Sequence, residues 1–195
     1  MSAEDVQDGN SRKRAPARER LLDTASELFY RHGIRAVGID TVIEHAGVAK
    51  MSLYNHFRSK DELVVAYLER RERRWCEFLD ARAPDAAAEP VERLRGMLDV
   101  LGSWLAEECP RGCAFTNAEV ELADPEHPAH EVIRADKEHL RERIGAVLGD
   151  AGVSGVEHLA DQVFMLFESV LVTFGMGTVE DPVRAAKDVV SRLLG

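Results

Sequence analysis

The sequence predicts an all-α protein of about nine helices, and three observations carry that expectation. Apolar residues recur at helical spacing along most of the chain. Glycine and proline stand at the edges of these periodic segments, where helices stop and start. Strand-like alternation, internal repeats and low-complexity tracts are absent from the 195 residues.

The elements follow in order. Leu21, Leu22, Ala25, Leu28 and Phe29 share one helix face. Gly33 is placed to end that helix as a left-handed cap. Gly38 can cap a short second helix carrying Val42, Ile43 and Ala46, which Gly47 breaks. A third short segment runs from about Ala49 to Phe57. Ser59 and Glu62 form a Ser-x-x-Glu capping box, so a long helix opens near Lys60. Leu63, Val64, Tyr67, Leu68, Trp75, Phe78 and Leu79 carry it to about residue 82. Residues 83–90 are rich in Pro and Ala, lack periodicity and read as a loop. Helices are then expected at about 90–108, 112–123, 128–149, 156–177 and 181–194, with Pro90, Pro110, Pro125, Pro128 and Pro182 at or near their starts or breaks.

Composition bounds the class. Hydrophobic residues make up 45% and charged residues 31%, as in ordinary soluble globular proteins. No apolar run reaches the length of a membrane span, and the first 20 residues hold no apolar run of the secretory kind. Three cysteines, Cys76, Cys109 and Cys113, make no disulfide framework, so the expected setting is the reducing cytoplasm. The net charge is −10, yet residues 11–60 carry +5 and the remainder −15. That asymmetry suits a DNA-facing module on an acidic body, although +5 also fits an ordinary solvated face. The expected organisation is a disordered basic arm at 1–15, a helix-turn-helix DNA-binding domain at 16–60 and a helical ligand-binding and dimerisation domain at 61–195. Arg12, Lys13 and Arg14 in the arm fit phosphate or minor-groove contacts, or a plain solvated tail.

Three helices, the last two joined by a Gly turn, have helix-turn-helix geometry, with the third placed to lie in the major groove. Its candidate DNA contacts are Lys50, Ser52, Tyr54, Asn55 and His56, with Lys60 just beyond. Tyr54, His56 and Lys60 suit phosphate; Lys50, Ser52 and Asn55 are left to reach base edges, where Lys donates to guanine and Asn pairs with adenine. Tyr54 also fits a core role, Phe57 reads as core, and His56 fits a plain helix-end residue.

Residues 46–63, AGVAKMSLYNHFRSKDEL, closely resemble the recognition-helix signature of the tetracycline-repressor (TetR) family: an Ala-Gly-Val turn, Leu-Tyr-x-His-Phe, then Ser-Lys-x-x-Leu. The end of the first helix, LFYRHG at 28–33, is similar to that family's as well. The likeness covers about residues 17–65. It implies a dimeric repressor that leaves its double-stranded DNA operator when a small molecule binds. It also implies DNA contacts at Lys50, Ser52, Tyr54, Asn55, His56 and Lys60. Two positions depart from the pattern: Gly38 stands where Ser or Thr is common, and Ile43 where Ala is usual.

In the body, the segment VFMLFESVLVTFGMG at 163–177 is apolar on more than one face, so it is expected to be buried on several sides. With the last helix it fits a homodimeric four-helix bundle through helices 156–177 and 181–194, which the resemblance also implies, or an internal core pair. The effector-site candidates are Trp104, Cys113, Phe115, Asn117, Phe164, Phe167, Glu168 and Leu171, apolar walls with a few polar groups, or simply core packing. Glu168 fits a partner for a cationic or hydroxylated ligand, a solvent-facing residue or an arginine's partner at a dimer interface. Cys109 and Cys113, or these with His127 and His130, are weak redox or metal candidates because no tight Cys-x-x-Cys motif is present. No metal or cofactor is expected. No nucleophile–base–orienter set or phosphate-binding glycine loop is visible, so an enzyme is not expected. An activator or architectural DNA binder without an effector is the competing reading, against which the body of about 110 residues is more than dimerisation demands.

Overall fold

Helical periodicity and turn residues build nine α-helices and no strand among the described residues. The computed structural model describes residues 15–150, 152 and 155–195. The helices are α1 Ala17–His32, α2 Ile39–Ala46, α3 Lys50–His56, α4 Lys60–Ala81, α5 Pro90–Glu108, α6 Ala114–Glu121, α7 Ala129–Asp150, α8 Val156–Thr173 and α9 Pro182–Leu194. The basic arm expected at 1–15 lies, but for its last residue, outside the described residues.

The chain forms two compact units. One holds the residues up to Arg70 together with 115–132; the other holds 71–114 and 133–195. The helix-turn-helix was expected to end at 60. The unit containing it takes in the first half of α4 and, across a sequence gap, most of α6 and the segment after it.

In the first unit, the apolar stripe of α1 (Leu21, Leu22, Ala25, Phe29) is buried with Val42 of α2, Leu53 of α3 and Leu63, Val64 and Tyr67 of α4. Each fully buried large side chain contributes on the order of 1.5–3 kcal/mol. Phe29 and Tyr67 meet edge to face with ring centroids 5.9 Å apart. Glu19 in the first turn and Arg31 and His32 in the last turn of α1 oppose its dipole.

The second unit is built around Leu94, Leu98, Leu101 and Leu105 of α5, Ile144 and Leu148 of α7, Val163 and Phe167 of α8 and Val190 of α9, all buried. α9 packs along α5 and α8. Its start is fixed by Pro182 at the first turn and by the Asp181 carboxylate, which accepts from the Arg184 N–H at 2.9 Å.

Two helices are shorter than their periodicity predicts. α8 was expected to reach 177 and ends at Thr173. Gly175 and Gly177 are poor helix formers, and the chain tightens there to an i→i+3 bond from the Met176 N–H to the Thr173 carbonyl, 3.1 Å. α6 was expected over 112–123 and covers Ala114–Glu121. A turn closed by the Gly112 N–H on the Cys109 carbonyl, 2.9 Å, delays its start.

Candidate nucleic-acid interface and effector site

The turn between α2 and α3 sets the presentation of α3. Gly47 takes the left-handed conformation, φ 61° and ψ 43°, and its N–H bonds the Glu44 carbonyl at 3.1 Å. A side chain there would meet no atom within 4 Å, so the demand for glycine comes from the backbone conformation alone. Arg20 of α1 donates to the Gly47 carbonyl at 3.4 Å and ties the turn to the first helix. The left-handed cap therefore belongs to Gly47. Gly33, expected to be such a cap, has φ 91° and ψ 149°, a positive φ outside the left-handed helical well.

α3 is pinned by Leu53 and by Phe57, whose ring is buried and carries the Arg18 guanidinium 5.2 Å from its centroid. With that face anchored, Lys50, Met51, Tyr54, Asn55 and His56 are exposed and Ser52 is half-buried. Tyr54, for which core and phosphate contact were both open, is 43% exposed and is not core. Met51, at 69% exposure, was missed by the sequence reading. Its helical spacing from Tyr54 and Asn55 was the available signal.

The two lysines behave differently. The Lys50 ammonium bonds the Asp40 carboxylate at 2.9 Å, and this hydrogen bond raises its pKa. The Lys60 ammonium turns inward. It donates to the Ile34 carbonyl at 2.6 Å and lies 5.9 Å from the Phe29 ring centroid, and burial lowers its pKa. At the head of α4 the Ser59 hydroxyl accepts from the Glu62 N–H at 3.1 Å, as the capping box predicts. The return bond is shifted by one residue: the Glu62 carboxylate accepts from the Arg58 N–H at 2.7 Å.

A contact not foreseen from sequence ties α6 to this module. The Glu121 carboxylate accepts from the Arg35 N–H at 2.9 Å, and a Cβ on Gly33 would come within 2.9 Å of the same carboxylate. Gly33, with its positive φ and missing side chain, makes room for that anchor. In the same unit, the His127 ring meets Asp61 at 3.3 Å, and His130 meets Glu119 at 2.8 Å, which raises the His130 pKa. Neither histidine approaches metal-ligand geometry: among the described residues no group of three or more His, Cys, Asp or Glu could hold an ion.

The predicted effector residues divide between the units. Phe115 and Asn117 fall in the first, the others in the second. Phe115 is buried and Asn117 half-buried. Trp104 is buried against Trp75 (5.6 Å) and Phe78 (5.1 Å), with the Arg71 guanidinium 5.0 Å from its centroid. Arg71 also donates to the Glu108 carbonyl at 2.7 Å and to the Cys109 sulfur at 2.9 Å. Burial pushes the Cys109 thiol up to about 11, which disfavours the thiolate. Phe167 has no exposed surface, Leu171 is buried and Phe164 is half-buried.

Glu168 has a partner that none of the sequence alternatives named. It accepts from Lys137 of α7 at 3.0 Å, and the same ammonium lies 3.7 Å from the Cys113 sulfur and 3.7 Å from Asp136. Lys137 thus brings Cys113 and Glu168 to one point. Burial opposes the lysine's charge, but the Cys113, Glu168 and Asp136 side chains outweigh it and raise its pKa. Burial raises Asp136 to about 6, despite the opposing pull of Lys137.

Residues 21–67 match the family described as bacterial regulatory proteins, tetR family, and residues 90–176 match the tetracyclin repressor-like C-terminal domain. The chain belongs to the TetR family. This TetR-family fold is shared over its whole length with SCO4454, a TetR-family transcriptional regulator from Streptomyces coelicolor, at 27% identity and a TM-score of 0.83, covering 96% of that chain. Among curated relatives, the transcriptional activator FasR of Mycolicibacterium smegmatis is 47% identical over 62 residues, 32% of this chain and 28% of FasR. The transcriptional repressor KstR2 of Mycobacterium tuberculosis is 37% identical over 83 residues, 41% of this chain and 40% of KstR2. The matches therefore span less than half the length of both curated relatives. Among the described residues, no helix is long and apolar enough to cross a membrane.

Proposed function

We propose that the chain is a one-component transcriptional repressor, a homodimer that binds a palindromic operator and releases it when a small molecule binds. The observation that carries DNA binding is the outer face of α3: Lys50, Tyr54, Asn55 and His56 exposed on a helix anchored by Leu53 and Phe57. Lys50, Ser52 and Asn55 suit base edges, with Met51 added for thymine methyls; Tyr54 and His56 suit phosphate. Lys60 spends one of its three N–H donors on the Ile34 carbonyl.

The exposed apolar side chains on the last two helices and their connection support dimerisation. Met165, Val172, Met176, Val179, Val189 and Leu193 are each at least 37% exposed. A second copy, related by twofold symmetry, is the occupant that would cover such a face and also set two recognition helices about 34–36 Å apart. The α6 segment supports the coupling. It begins beside Cys113, which meets the Lys137–Glu168 pair, and ends on Glu121, which holds the Arg35 amide. A ligand favouring a shifted α6 would bias the first unit between two states, to the extent of its differential affinity for them.

A second reading, activation, is favoured by one observation: the relative named as an activator is 47% identical over 62 residues. Transcript levels from the gene's own promoter, with and without the intact protein, decide between them. A rise on its removal supports repression; a fall supports activation; no change at a promoter it occupies rejects both. Sedimentation of the wild type against Met165→Glu/Leu193→Glu tests the dimer, which the double variant should split.

A further inference from the structure

The second unit contains a cavity that the predicted effector residues do not line. It has a volume of about 220 Å³ and lies among the end of α4, the 82–89 loop, α5 and α7. Its floor is apolar: Leu79, Met97 and Val147 are all nearly fully buried. Its wall is held in place. Pro84 presses so closely on α5 that a Cβ on Gly96 would fall 2.4 Å from the proline ring. The loop is braced by Asp85, whose carboxylate accepts from the Ala87 N–H at 2.9 Å. Two arginines, Arg93 and Arg143, also line it, with Ala83 and Ala146.

We infer that this cavity binds a small amphiphilic carboxylate, its tail on the Leu79–Met97–Val147 floor and its head between Arg93 and Arg143. That its occupant is the effector rests on the regulator reading above. The size fits: about 220 Å³ lies below the roughly 300–1,000 Å³ of sites for drug-sized ligands and suits a short-chain acid. The charge also fits. Arg93 uses Nη1 on Asp150 at 2.5 Å, and Arg143 uses Nη2 on Asp80. A guanidinium carries five N–H donors, so one carboxylate bond does not exhaust it. Both aspartates are mostly exposed, with side chains 65% and 61% accessible. Such pairs are weak, and an aspartate that yields its arginine regains water. A ligand carboxylate on the half-buried Arg93 is better shielded and gains more. An alcohol or amide of the same length lacks that charge and loses the advantage.

Hexanoate is the probe, with hexan-1-ol as the uncharged control, titrated by calorimetry into the full chain. The site predicts saturable hexanoate binding and binding of the alcohol at least about tenfold weaker. Arg93→Gln and Arg143→Gln should each weaken hexanoate by about tenfold, and Ala146→Trp, at an exposed position on the lining, should block it. Circular dichroism of each variant confirms that the fold is kept. No saturable binding, equal binding of acid and alcohol, or unchanged binding in the double arginine variant would overturn the inference. The same samples are run on the gene's upstream DNA. Specific DNA binding without hexanoate binding removes this site and leaves the regulator reading; the converse removes the regulator reading and leaves the site.

Discussion

Lys60→Met separates a structural lysine from a DNA-contacting one. The sequence marks Lys60 as a phosphate contact, yet its ammonium is held 2.6 Å from the Ile34 carbonyl and near the Phe29 ring. A hydrogen bond from a charged donor is worth about 1.5–3 kcal/mol, and a partly exposed cation–π contact about 0.5–1 kcal/mol. The lysine is only part-buried and methionine keeps the apolar stem, so the lower end applies: a loss of about 1–2 kcal/mol. Urea unfolding followed by circular dichroism reads this directly. The carbonyl it caps lies in the α1–α2 loop, so the Arg35 and Ala36 amides should also exchange faster. A variant as stable as wild type, with unchanged exchange, would refute the capping argument. In a DNA titration, a phosphate contact predicts a salt slope shallower by about 0.9, while a purely structural role leaves the slope unchanged.

Glu121→Gln should keep the fold and speed exchange of the Arg35 amide, because a carboxylate acceptor becomes a weaker neutral one; a loss of about 0.5–1.5 kcal/mol is expected, and hydrogen exchange by NMR checks it. Phe167→Ala should cost about 3–5 kcal/mol, since the ring is fully enclosed, so any loss of ligand response in that variant reads as unfolding unless stability is measured alongside. Asp136 gives a pH dependence of definite sign. Its folded value of about 6 lies above the ordinary 3.8, so between these two values the folded state binds more protons than the unfolded. Stability should therefore fall as pH rises through that window, by on the order of 3 kcal/mol for a shift of about two units. Asp136→Asn should flatten that decline in urea unfolding from pH 4 to 7; an unchanged slope would assign the decline to other groups.

Much of this fold is legible from local pattern. The α1 stripe, the Gly47 break, the Ser59–Glu62 box and Pro182 act within a few residues of themselves, and each marks a boundary the structure keeps. The exposed face of α3 follows from the anchoring of Leu53 and Phe57 four residues apart. What pattern does not give is long-range choice. Gly33 stops α1 as its position predicts, but its extended ψ accompanies a carboxylate arriving from α6, 88 residues later in the sequence. Lys60 looks like a surface cation because nothing near it in sequence announces the Ile34 carbonyl. Glu168 is claimed by Lys137, 31 residues away. A cavity depends on which side chains fail to meet. Trp104 and Phe167 are apolar enough to line one, and both are buried, Trp104 against two aromatic rings.

Whether the outer face of α3 reads DNA is decided by one titration. Fluorescence anisotropy on the DNA upstream of the gene, at two salt concentrations, compares wild type with Tyr54→Ala. Tyr54 is exposed and anchors no core, so the variant should unfold like wild type. A DNA-reading α3 gives specific binding that weakens steeply with salt and is lost or much reduced in the variant. Binding no tighter than to random DNA, and indifferent to the substitution, would contradict it.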